Sequence, residues 1–491
     1  MGLRNHPGPV IALAVVATML LVGCTAPTAP VDDGSLQSDG LGTVDGVAYD
    51  DELDVNASTG LTDEELDLVV ARTMARVEVL RGLEFERRVP VEVIDRAEFQ
   101  ERRANGGEPN ATEAAYENQV WEALLIVDEE TDADDAFQTL YGSAVAGYYT
   151  TADDGKIVLV SDEERPVVHE DTLVHELIHA LQDQHFGLGP RGTVLDEQLA
   201  RNGLLEGDAD YVPQRYEERC ASGEWQCLDT PPRTATDRPD DFNEALFLTI
   251  YQPYSDGPAF VGDLYDRTDD WSVVNAAYDD RPESATQIIH PDRYHDDGPR
   301  NVSVPDRSDD GWERFEDRPN DRPEKERVGE AALVATFYAQ GELDRSDLVT
   351  DDPRSVYDYD QNVTRGWDGD ALVPYRSEDG ETGHVFVTAW RSTEDADTFA
   401  EAYERTLERM DAEHRDDVHV VPENRSFSGA YRVTVDDDEV TIVHAPDRDA
   451  LDGIHPVESE DSLDTVTIAD PDFRAPAAGL EAPTTIPATT G

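Results

Sequence analysis

Residues 172–182 read TLVHELIHALQ, and few environments can accept such a segment. Leu173, Val174, Leu177, Ile178, Ala180 and Leu181 are all uncharged, in a chain of which 30% is charged. A run this apolar predicts a buried helix from about Asp171 to His185, ended by Gly187 and by Gly189-Pro190. His175 and His179 are four residues apart, so the helix projects both rings from one face. Nitrogens at that separation reach a single zinc ion with bonds of about 2.0–2.1 Å. Glu176, turned around the helix from the first ring, stands beside such an ion rather than on it. There a base can take a proton from metal-bound water. Two imidazoles and a carboxylate inside an apolar helix are costly to bury without a shared partner. His185 falls on the opposite face and is not expected as a ligand.

A hydrolytic zinc site needs a third protein ligand and an open fourth position. Downstream, LARNGLLEGDADYV (199–212) predicts a second apolar helix that carries Glu206 and Asp210 on one face. Together the two segments resemble the gluzincin class of zinc metallopeptidases, with a longer His179-to-Glu206 separation than its best-known members. The resemblance implies Glu206 as third metal ligand and Asp210 as the carboxylate that orients a ligand histidine. Asp208 points elsewhere on a helix; on a loop, Asp208 or Asp210 would compete as ligand. Before the metal helix, AVAGYYTTADDGKIVLV (144–160) reads as a β-hairpin turning at Asp-Asp-Gly. It is placed to offer an edge strand to a substrate backbone. Tyr148 and Tyr149 face either that cleft or the core. In ATQIIHPDRYH (285–295), His290 resembles a histidine found downstream of the metal helix in some secreted zinc-peptidase-like proteins. It is a candidate catalytic donor to an oxyanion, against a structural role capping a loop.

The rest of the chain supplies the setting. Asp and Glu number 109 against 39 Lys and Arg, for a net charge of −70, which repels nucleic acid. Such a coat fits a protein working in strong brine, where charges are screened within about 3 Å at 1 M salt. Residues 10–22 form an apolar run behind Arg4 and end in Leu-Val-Gly-Cys, which resembles a lipobox. The expectation is a signal peptide over 1–23, lipid on Cys24, and an extracellular, membrane-anchored body on a flexible tether over 24–60. Cys220 and Cys227, close in sequence, then read as a local disulfide. The predicted fold is α+β: a zincin-like metallopeptidase domain over 61–295, a linker over 296–327, a C-terminal α+β module over 328–470, and a disordered tail over 471–491. The predicted function is a Zn2+-dependent peptidase acting on peptide or protein substrates. Its rival is a non-catalytic zinc-containing surface lipoprotein that serves as a binding or structural module.

Overall fold

The computed structural model describes residues 40–104, 110–142, 145–190, 192–232, 239–295, 298–309, 311–315 and 324–457. The expected signal peptide, Cys24 and the tail over 471–491 lie outside the described residues. The architecture is mixed α+β, and no helix among the described residues is long and apolar enough to cross a membrane.

A short hairpin, β1 (Thr43–Val44) and β2 (Val47–Ala48), lies on the first long helix, α1 (Asp63–Arg81). The Glu65 N–H donates to the Thr62 hydroxyl and the Thr62 N–H to the Glu65 carboxylate, which closes the start of α1. Gly82, at φ +71°, ends it. Of the tether expected over 24–60, residues 24–39 lie outside the described residues and the remainder is folded rather than flexible. The Gly42 N–H donates to Glu78, Arg76 donates to the Tyr49 carbonyl, and Gln226 bonds both the N–H and the carbonyl of Leu53. These anchors are polar and distant in sequence, so the apolar pattern carries no trace of them.

β3 (Val91–Ile94), α2 (Arg96–Ala104), α3 (Ala111–Ala123) and α4 (Ala133–Gly142) lead into β4 (Gly147–Thr150) and β5 (Lys156–Val160). The expected hairpin forms, with β5 central, β3 parallel to it and β4 antiparallel at the edge. Its turn needs left-handed backbone at Asp153, Asp154 and Gly155, which aspartate and glycine tolerate best. Both tyrosines are core residues: Tyr148 packs on Phe99 and Tyr149 donates to Asp183 at 2.7 Å. Next come α5 (Glu170–His185), α6 (Leu195–Ala221), α7 (Glu244–Asp266), α8 (Ser272–Ala277) and α9 (Ala285–Ile289). α6 and α7 touch backbone to backbone, because Gly203 and Gly207 of α6 face Gly257 of α7. A Cβ on Gly207 would meet the Gly257 carbonyl oxygen at 2.4 Å. Cys220, in the last turn of α6, and Cys227, past its end, form the expected disulfide.

The remaining elements are β6 (Trp312–Arg314), α10 (Gly329–Ala339), β7 (Trp367–Ser377), β8 (Thr382–Trp390), α11 (Thr393–Arg409), β9 (Glu413–Arg415), β10 (Val418–Val421), β11 (Gly429–Asp436), β12 (Glu439–Ala445) and α12 (Arg448–Ile454). The strands form one antiparallel sheet in the order β6-β7-β8-β12-β11-β10-β9. The stretch expected as a linker is part of this unit: β6 pairs with β7, and Val302, Val304 and Phe315 are buried. Nor does residue 328 separate two cores. α10 packs on α6, α7 and α9, and one apolar cluster runs from Tyr116 through Leu246 and Leu333 to Ile442. The segment GWDGD over 366–370 has a structural role. Asp370 accepts from the Val328 and Gly329 N–H groups at 2.9 Å each and from the Trp367 indole at 3.0 Å, which fixes the start of α10.

Candidate metal centre

α5 is buried along its whole middle, with Thr172 through Gln182 inside the protein. It lies between α1, the β4–β5 side of the small sheet, and α6. α6 crosses it and brings Glu206 onto the two histidines. The ring nitrogens Nε2 of His175 and His179 stand 3.1 Å apart, and Glu206 Oε2 is 3.2 Å from each. Three donor atoms at the corners of a tetrahedron around zinc, with bonds of about 2.0–2.1 Å, would be about 3.3 Å apart. The triangle therefore fits a zinc-sized ion held from one side. It is the one group of three or more His, Cys, Asp or Glu side chains among the described residues that can hold a metal in this way.

The far nitrogens fix the ring orientations. His175 Nδ1 lies 2.7 Å from Asp210 Oδ1, a carboxylate that can only accept, so Nδ1 carries the proton and Nε2 is left for the metal. His179 Nδ1 lies 2.9 Å from Gln182 Oε1. The Gln182 amide nitrogen donates to the Leu205 carbonyl at 2.9 Å, which turns its oxygen toward the ring and ties the first metal helix to the second. Gln182 was not singled out from sequence, although its place three residues after His179 puts it on the same helix face. Asp208, the rival ligand, is turned away: it accepts from Arg81 and, at 2.6 Å, from the Tyr278 hydroxyl. His185 also stays outside the group, bonded to the Glu84 carbonyl.

Burial lowers the proton affinity of both histidines, yet Asp210 and Glu206 outweigh it at His175 and Glu206 at His179, so both are raised. Burial works upward on Glu206, and His179 and His175 pull it well below the carboxylate range. Glu176 differs. It is completely buried, neither oxygen makes a hydrogen bond of normal geometry, and burial raises its carboxyl above the ordinary value. The nearby histidines and the Tyr149 backbone only moderate that rise.

His290 stands apart from this group. Its Nε2 lies 3.1 Å from both oxygens of Glu330 on α10, which also accepts from Thr286 at 2.6 Å. The role of oxyanion donor expected for His290 is therefore replaced by a structural one, joining the end of α9 to α10. A different hydroxyl reaches the centre: Tyr254 on α7 bonds Glu206 and feels Asp210. No spacing in the sequence links it to the metal helices; the glycine contact between α6 and α7 does.

Residues 313–455, from β6 to α12, match the family model of a domain of unknown function, DUF8575. The His175–His179–Glu206 group lies outside that span. No curated protein and no solved structure matches the chain.

Proposed function

We propose that the chain is a zinc-dependent metallopeptidase, exported and held at the outer face of the membrane by lipid on Cys24. One observation carries the reading: a buried His175–His179–Glu206 triangle of zinc dimensions, with the unbonded carboxylate of Glu176 beside it. A purely structural metal would leave that carboxylate without a purpose, and a buried carboxylate without partners is destabilising.

Zinc held by His175, His179 and Glu206 would supply Lewis acidity and make water there easier to deprotonate. Glu176, beside the triangle, would take a proton from the attacking water and return it to the leaving amine. The Tyr254 hydroxyl, next to Glu206, donates to the carbonyl oxygen as negative charge develops there. β4, at the edge of its sheet and packed on α5, binds the substrate main chain by strand addition.

Metal analysis of the purified protein should find one zinc per chain. Glu176→Gln should keep that zinc and lose peptide hydrolysis by about 10²–10⁴-fold. His179→Ala should lose the zinc. Hydrolysis by Glu176→Gln at the wild-type rate would refute the mechanism.

A further inference from the structure

Five of the chain's 12 asparagines stand two residues before a serine or threonine, in Asn56-Ala57-Ser58, Asn110-Ala111-Thr112, Asn301-Val302-Ser303, Asn362-Val363-Thr364 and Asn424-Arg425-Ser426. Ser and Thr together number 55 of 491 residues, so chance would give that spacing to about one asparagine in nine, or roughly one of the 12. The fold separates the five from the others. All five are exposed, and none lies within a helix or a strand. The other four asparagines among the described residues belong to helices: Asn118, Asn202 and Asn275 lie within α3, α6 and α8, and Asn243 caps α7. Three of these hold the fold together. Asn118 accepts from the Ala133 N–H, Asn243 donates to the Ile126 carbonyl, and Asn275 accepts from Arg81.

A substituent on an asparagine amide is carried by its nitrogen, and four of the five have that atom unbonded among the described residues. At Asn56 and Asn301 the amide oxygen is occupied, accepting from the Ser58 hydroxyl at 2.6 Å and from the Lys325 ammonium at 2.8 Å, which leaves Nδ2 to solvent. Neither end of the Asn362 and Asn424 amides bonds another described residue. Asn110 differs. Its oxygen accepts from the Thr112 and Glu113 N–H groups as the cap of α3, and its nitrogen donates to Glu113 at 3.0 Å. The elements around the metal centre carry no such triplet. From Gly147 to Ala221, through β4, β5, α5 and α6, the one asparagine is Asn202, which is followed by Gly203 and Leu204.

We propose that Asn56, Asn301, Asn362 and Asn424 are attachment sites for N-linked sugar chains. The co-substrate is a sugar chain carried on a membrane lipid as its phosphate or diphosphate ester. In the transfer, the bond from the sugar's anomeric carbon to the phosphate oxygen breaks and a bond from that carbon to asparagine Nδ2 forms. The proton that Nδ2 releases ends on the departing phosphate. This rests on the export part of the reading above and is independent of hydrolysis. It places bulky, hydrated groups on four loops and leaves the edge strand and both metal helices bare.

Peptide mass spectrometry tests this on the full chain isolated from the membranes of the cells that make it. The peptides holding Asn56, Asn301, Asn362 and Asn424 should each be heavier by whole sugar residues, with the added mass fixed to the asparagine. Asn110 and the exposed Asn202 should be bare. Ser303→Ala removes an exposed hydroxyl and keeps Asn301, so it should abolish the addition at Asn301 alone. Sugar that persists at Asn301 in this variant overturns the role of the triplet, and occupancy at Asn110 equal to the other four overturns selection by the folded amide. Each site is judged by its own peptide. Four bare asparagines on a chain that begins at a lipid-bearing Cys24 overturn the sugar sites and leave export standing. Four bare asparagines on a chain that still begins at Met1 overturn export itself, and the sugar sites with it.

Discussion

His175 and His179 present Nε2 to a common point only because Asp210 and Gln182 hold the opposite ring nitrogens. Removing either acceptor frees a ring to rotate or change tautomer, so metal affinity should fall by about 10–100-fold in Asp210→Ala and in Gln182→Ala. Competition with a chelating dye would measure it. An unchanged dissociation constant in both variants would show that the rings are fixed by packing alone. At this scale most of the centre was legible in the sequence: helical period puts His175 and His179 on one helix face and Glu206 and Asp210 on another, and the gluzincin resemblance implied that the two faces meet. Tyr254 was not, since it meets Glu206 through a helix crossing some fifty residues further on. His290 misled because a histidine before proline in an apolar segment looks the same whether it serves chemistry or, as here, a glutamate on another helix.

Three arginines on α1 determine how the two metal helices stand. Arg72 and Arg76 converge on Glu170 at the start of α5, and Tyr216 of α6 donates to the same carboxylate at 2.6 Å. Arg81 donates to both oxygens of Asp208, two residues from the candidate ligand Glu206, and stacks 4.1 Å from the Trp271 ring. All three arginine side chains are fully buried. Truncating one partner of such a pair strands the other charge, so Arg81→Ala should destabilise the fold by about 3–5 kcal/mol in guanidinium unfolding. The loss should also loosen α6 and weaken zinc binding. A stability change below about 1 kcal/mol would mean that Asp208 finds water or Tyr278 sufficient. The helix itself was predictable from its cap and its periodicity. Its inward arginines were not, because a charged residue on a helix reads as facing solvent until a buried carboxylate is found opposite.

The N-terminal helices and the seven-stranded sheet share a core, and the seam between them is sensitive to acid. The Thr336 hydroxyl and the Gln340 amide of the α10 segment donate to the carbonyls of Leu124 and Leu125 just past α3, at 2.8 and 2.6 Å. Nearby, α3 places Gln119 against His384 of β8, which pairs across the sheet with His444 of β12. Sequence alone drew a boundary here, because the Pro- and Asp-rich stretch over 296–327 has the composition of a linker while its few apolar residues enter the sheet. Burial pulls His384 well below the ordinary histidine value and His444 down to about 4. Both rings are thus neutral in the fold. Their contribution is fully present above pH ~6.5, the value in an unfolded chain, and is lost as pH falls toward 4. Glu122 and Asp370 act in the opposite sense. Burial raises each to about 7, so the stability they lend is present at low pH and fades as pH rises through 7. The histidine contribution therefore has to be read as a difference between chains. From pH 7 to pH 5 the wild type should lose about 2 kcal/mol through His444, at roughly 1.4 kcal/mol per pH unit below 6.5. His444→Gln removes that titration and leaves Glu122 and Asp370 in place, so on going from pH 7 to pH 5 its unfolding free energy should rise by about 2 kcal/mol relative to the wild type. Identical pH dependence in the two chains would mean that His444 can protonate without opening the seam between α3 and the sheet.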